Sequence, residues 1–146
     1  MNNPSEAEPT TTYQADPTRW RSVEPWWGCV LDAPDPRALG HYYANLLGWT
    51  IATEDDTWVT MGMPGGVSAY LAFQLSREYV PPVWPPADGK PQQMMHLDVE
   101  VRDLDAAVAD AVGLGGTLAE FQPQDNVRVV LDPAGHPFCL YRDDDS

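Results

Sequence analysis

Two parts of this chain carry the same punctuation 68 residues apart. Gly28 falls on His96, Asp32 on Glu100, Asp35 on Asp103, Leu46 on Leu114 and Gly48 on Gly116. In each copy a short alternating run is followed by a capped amphipathic stretch, a glycine stop and three further alternating runs. An internal repeat constrains a fold more than composition does, because each copy must form one supersecondary unit and bury its apolar face against something. The unit reads as strand, helix, three strands. The expected class is therefore α+β, with two tandem βαβββ modules.

The first copy opens with "GCVLDA". Asp35 is placed to cap a helix whose first turn holds Pro36, where a missing N–H leaves no bond unmade. Leu39, Tyr42, Tyr43, Leu46 and Leu47 share one helical face, and Gly48 ends it. "WTIAT", "TWVTM" and "SAYLAFQL" follow as strands. The second copy opens with "HLDVEV". Asp103 caps a helix with Leu104, Ala107, Val108, Ala111 and Val112 inward, stopped at Gly115-Gly116. "TLAEF", "NVRVVL" and "PFCLYR" complete it, with "DPAG" as a tight turn.

The modules span about 26–80 and 94–142, within one domain of 25–146. They are joined by the proline-rich linker 81–93, since proline neither donates to a ladder nor continues a helix. Residues 1–24 have no hydrophobic period and read as a tail, although Trp20 in it is apolar surface that favours docking.

Strand alternation sorts the side chains. Each helix must cover the apolar face of its strands. Leu97, Val99 and Val101 then take the helix side, with His96, Asp98 and Glu100 opposite. On the other strands Asp32, Tyr70, Gln74, Cys139 and Tyr141 also fall on the uncovered side. Solvent alone would explain polar residues there; Tyr70, Tyr141, Cys139 and Val30 fit an enclosed concave surface better. Cys29 and Cys139 fall on opposite faces, which argues against a bond between them.

Acids outnumber bases 22 to 8, giving a formal net charge of -14. Such a field repels nucleic acid and anionic membrane surfaces, attracts cations, and keeps a protein dispersed. No apolar run is long enough to span a bilayer, and the N-terminus lacks the basic start and apolar core of a signal peptide. The expected location is the cytoplasm. Two cysteines are too few for a disulfide scaffold, and no phosphate loop, dinucleotide fingerprint or serine elbow is present.

The repeated unit, with "DPRALGHYYANLLGW" in one copy and "HLDVEVRDLDAAVADAVGLGG" and "DPAGHPFCLY" in the other, resembles the vicinal oxygen chelate superfamily. That group includes glyoxalase I, bleomycin-resistance proteins and extradiol dioxygenases. The resemblance covers about residues 26–142 and is nearest the glyoxalase-like domains of unassigned function. It implies paired modules forming a cupped mixed sheet, the glyoxalase/bleomycin resistance fold, as a homodimer. In metal-using members, His, Gln or Glu ligands stand on the first and last strands of each module. Carried over, Gly28 offers no ligand atom and His96 fits. Cys139 stands where glutamate is the rule, and Gln74 is the one donor within Tyr70–Gln74. A tight transition-metal site needs three or four protein ligands. Asp98 lies about 7 Å along the strand from His96, so joint chelation by the two calls for bending.

The expectation is a metal-free, cofactor-free binder. It would sequester a small aromatic or cationic organic ligand in the cup, through His96, Asp98, Cys139, Gln74, Tyr70 and Trp58. Trp84, in the linker, could rim the cup. Two alternatives stay open: a metal-dependent lyase, isomerase or dioxygenase using His96 as ligand or base, and a structural or interaction module whose cup is filled by its own side chains or tail. His41 is expected on an exposed helix flank, His136 in a turn-stabilising role and Asp143-Asp144-Asp145 at a solvated end.

Overall fold

The computed structural model describes residues 26–143. The expected tail 1–24, with Trp20, lies outside the described residues, as do Asp144 and Asp145. The first module runs β1 (Trp27–Ala33), α1 (Pro36–Leu47), β2 (Ile51–Glu54), β3 (Trp58–Gly62) and β4 (Ala69–Leu75). The second runs β5 (Asp98–Glu100), α2 (Leu104–Gly113), β6 (Thr117–Leu118), β7 (Val127–Leu131) and β8 (Pro137–Tyr141). The two four-stranded sheets have orders β1-β4-β3-β2 and β5-β8-β7-β6, which are the same topology twice. In each, the first and last strands pair in parallel, and the helix is the crossover that a parallel pair requires.

The local signals act as the repeat requires. The Ala38 N–H donates to Asp35 Oδ1 at 3.1 Å, and the Ala106 N–H to Asp103 Oδ1 at 3.0 Å. Gly48 takes a left-handed φ of 71° and its N–H closes on the Ala44 carbonyl at 2.9 Å. Gly135 supplies the φ of 90° that the "DPAG" turn needs.

Three expectations need correcting. β6 covers two residues of "TLAEF". Beyond it the Val129 carbonyl accepts the Ala119 N–H at 3.0 Å and the Gln122 side-chain amide at 2.9 Å, and the Val129 N–H donates to that side chain at 2.8 Å. β5 covers three residues of "HLDVEV". Its pairing with β8 still extends past both ends, through Cys139 N–H to Leu97 O and Val101 N–H to Tyr141 O. Val112 is exposed rather than inward, since it sits at the margin of the α2 stripe formed by Leu104, Ala107, Val108 and Ala111.

One apolar core serves both modules. Tyr43, on α1, stacks on Phe73 of β4 at 5.7 Å and meets Phe138 of β8 edge-on at 5.5 Å. Tyr42, beside it, packs edge-on against Phe138 and donates its hydroxyl to the Ala111 carbonyl of α2 at 3.0 Å. Leu71 and Phe73 from the first sheet, and Val130, Phe138 and Leu140 from the second, are all buried in this cluster. The helix-covered faces of both sheets therefore share α1 between them. Their uncovered faces lie on the outside of that core.

Candidate functional site

The uncovered face of the first sheet follows from its register. Trp58, Gln74 and Asp32 form one row across β3, β4 and β1; Thr60, Ala72 and Val30 form the next; Gly62, Tyr70 and Gly28 form the third. Small residues in the middle row leave a floor between Trp58 and Tyr70. The result is a depression of about 280 Å³ lined by these two aromatics with Trp26, Ala52, Thr60, Met61 and Gly62. Tyr70 can lie down across β1 because position 28 has no side chain. A Cβ built on Gly28 would stand 2.5 Å from Tyr70 Cε2, inside any real contact. At the rim, Gln74 Nε2 donates to Asp32 Oδ1 at 2.6 Å, so the amide is engaged with its cross-strand neighbour.

The uncovered face of the second sheet is built differently at matching positions. Asp98 pairs with Cys139, whereas Val30 pairs with Ala72 in the first sheet. One ligating atom each of His96, Asp98 and Cys139 lies within 4.8 Å of the others. His96 Nε2 and Asp98 Oδ1 are 3.3 Å apart. The expected separation along the strand is overcome because His96 sits just before the regular part of β5 and both side chains lean together. The Cys139 thiol is pushed up to about 11, chiefly by burial and then by the charge of Asp98, with which it also shares a hydrogen bond. It is a neutral thiol at physiological pH and no ready nucleophile. Cys29 is raised too, by burial, and both thiols are free.

The six residues expected to bind ligand thus fall into two sets. Trp58, Tyr70 and Gln74 share one open face, and His96, Asp98 and Cys139 share the other. The two sets stand on different sheets. Trp84 stands away from the first set, its indole donating to the Phe121 carbonyl at 3.1 Å. His41 is exposed, as expected, and pairs with Glu54 at 2.6 Å.

Two features escaped the sequence reading. One is a larger cleft of about 540 Å³ at the start of α2, where Arg102 and Arg142 stand among Asp103, Asp105, Asp125 and Asn126. Nothing in the spacing brings positions 102, 125 and 142 together; the ends of three strands do. The other is Asp132. Its buried carboxylate accepts the Tyr43 hydroxyl at 2.7 Å, the Ala134 and His136 N–H groups at 2.9 and 3.0 Å, and contacts His136 Nδ1 at 2.8 Å. Tyr79 adds its hydroxyl to the Ala134 carbonyl at 2.7 Å and lies 3.3 Å from His136 Nε2. His136 does stabilise the turn, and the same network also ties α1 to the second module. Burial and the Asp132 charge hold Tyr43 well above the usual phenol range and push Tyr79 up to about 12.

The profile of the family described as "Glyoxalase-like domain" matches residues 28–141. The chain belongs to this family. It is a member of the vicinal oxygen chelate superfamily, with the glyoxalase/bleomycin resistance fold. A glyoxalase-related enzyme from Fulvimarina pelagi superposes with a TM-score of 0.60 at 20% identity, covering 83% of this chain and 89% of that one. A glyoxalase/bleomycin resistance protein/dioxygenase family enzyme from Burkholderia phytofirmans PsJN gives 0.60 at 13% identity, over 79% and 95%. A possible glyoxalase from Bacillus cereus gives 0.58 at 13%, over 80% and 96%. At these identities the likeness speaks to fold. No curated protein matches the chain. No helix among the described residues is long and apolar enough to cross a membrane.

The metal of the superfamily draws donors from both modules. The first module of this glyoxalase-like chain does not fit that role. Gly28 has no donor, its space is filled by the Tyr70 ring, and Val30 and Ala72 are aliphatic. Gln74 is turned to Asp32.

Proposed function

We propose that this glyoxalase-like protein binds a small organic ligand, planar and aromatic or cationic, against the open face of its first module. The observation that carries the reading is the depression walled by Trp58, Tyr70 and Trp26, with the Asp32 carboxylate in the same cross-strand row as Trp58. Indole and phenol faces attract flat rings and cations, and the net charge of -14 raises the local concentration of cations. Stacking and charge supply the affinity. The wanted test is a titration of planar cations and neutral aromatics, followed by tryptophan fluorescence with a chelator present. A saturable 1:1 response that weakens about tenfold or more in Trp58→Ala is expected, the size of one lost stacking contact. Equal affinity in Trp58→Ala, or no response across the panel, counts against the reading.

Two copies would enclose this face if the first module of one chain stood opposite the second module of another. Trp26 and Trp27, 65% and 66% exposed, stand at the start of edge strand β1; Met94 and Met95, 87% and 79% exposed, hold the equivalent places of the repeat ahead of edge strand β5. Exposed apolar pairs of this kind mark contact surfaces. A dimer in sedimentation equilibrium that dissociates on Trp27→Asp with Met95→Asp is the expected result; a wild-type monomer at micromolar concentration rules it out.

A further inference from the structure

We propose that His96, Asp98 and Cys139 form a zinc site contained within the second module, with three protein ligands and a fourth position open to the outside.

The three residue types and their places carry the argument. Zinc takes imidazole nitrogen, carboxylate oxygen and thiolate sulfur in tetrahedral sites. Two N or O ligands held about 2.1 Å from one zinc ion stand about 3.4 Å apart at the tetrahedral angle. His96 Nε2 and Asp98 Oδ1 are 3.3 Å apart. That is long for a charge-assisted hydrogen bond, which favours about 2.7–2.9 Å, and right for two ligands of one ion. Cys139 is the register partner of Asp98 across the parallel pair, so its Sγ is delivered to the same point, within 4.8 Å of both. A thiolate would sit about 3.6 Å from each partner in such a site, within the 4.8 Å that bounds the three atoms here.

The set also selects the metal. A thiolate with imidazole excludes magnesium and calcium, which want oxygen alone, and favours zinc. On binding, the thiol proton leaves to solvent and the Zn–S bond replaces S–H. His96 and Asp98 side chains are 40% and 59% exposed, so the remaining coordination position opens outward and is free for water or a ligand donor. A closed four-residue set would mark a structural site; three ligands with one vacancy do not. This departs from the two-module arrangement of the superfamily: the donors that Gly28, Val30 and Ala72 fail to supply are replaced by Asp98, from the same strand as His96. The inference is independent of the aromatic-ligand reading, which concerns the other sheet.

The test is Zn²⁺ titration of the chelator-stripped full chain against a chromophoric competitor, with Co²⁺ as a spectroscopic probe. One Zn²⁺ per chain is expected, with a thiolate-to-cobalt charge-transfer band in the near ultraviolet. Cys139→Ser should abolish that band and weaken zinc at least tenfold. Asp98→Asn should weaken zinc while keeping the band. Cys29→Ser should change neither. Thermal unfolding of the metal-free variants checks that the fold is intact. Absence of 1:1 binding, a band that survives Cys139→Ser, or one that disappears with Cys29→Ser overturns the proposal. Aromatic-ligand titrations with chelator present report on the first sheet alone, so failure of either idea is seen separately.

Discussion

Asp132→Ala is expected to remove about 3–5 kcal/mol of stability, a large share of the 5–15 kcal/mol typical of a domain. The residue is 4% exposed, and its carboxylate is the common acceptor for the Tyr43 hydroxyl, two backbone N–H groups of its own turn and the His136 ring. Truncation strands all of these donors in a site that water reaches poorly. Leaving a buried donor unpaired costs about 1–3 kcal/mol, more than making the bond gains. The partner variant separates the terms. Tyr43→Phe removes one donor with its own acceptor bond and keeps the ring between Phe73 and Phe138, so about 1–2 kcal/mol is expected. Urea unfolding at neutral pH measures both. If Asp132→Ala costs no more than Tyr43→Phe, the carboxylate is not the hub of the network.

The contrast between what the sequence shows and what it hides runs along this same residue. Capping aspartates, the left-handed glycine after α1 and the alternation in β4 and β8 are local signals, readable because each acts within a few residues of itself. Doubled at a fixed spacing, they state the module and its topology. Asp132 reads as a turn residue in "DPAG", and it is one. Its second role depends on Tyr43, 89 positions away, and no local rule reaches that far. The same holds for the site. Alternation placed Tyr70, Gln74, His96, Asp98 and Cys139 on uncovered faces, and the expectation joined them with Trp58 in one cup; the structure holds them as two sets on two sheets. Whether the two faces meet within one chain was left open by pattern, because an apolar stripe does not say which partner it will bury against. In the structure Tyr42 and Tyr43 fill the space between the two helix-covered faces. Likewise, strand spacing keeps His96 and Asp98 apart, and only the irregular entry to β5 lets their side chains converge.

Phe138→Ala tests whether the shared core makes the two modules one cooperative unit. The ring is 1% exposed and meets both Tyr42 and Tyr43, so its loss leaves a cavity against α1 that the surrounding sheet and helix can fill only in part. Phe→Ala at such a position costs about 3–5 kcal/mol. The informative readout is where that loss is felt. Position 138 lies in the second module, while four of the five described tryptophans, Trp26, Trp27, Trp49 and Trp58, lie in the first; the fifth, Trp84, contacts Phe121 of the second, so fluorescence is read in a Trp84→Phe background. If α1 is held by both sheets at once, tryptophan fluorescence and far-ultraviolet circular dichroism will shift together to lower denaturant and stay superimposable, as two-state unfolding demands. If each module stood on its own core, the fluorescence transition would remain near its wild-type midpoint and the dichroism would split into two steps. The stacked Tyr43 ring, touching Phe73 on one side and Phe138 on the other, argues for the first outcome. A sheet that can unfold without loosening its neighbour would have no reason to bury its largest side chains against that neighbour's helix.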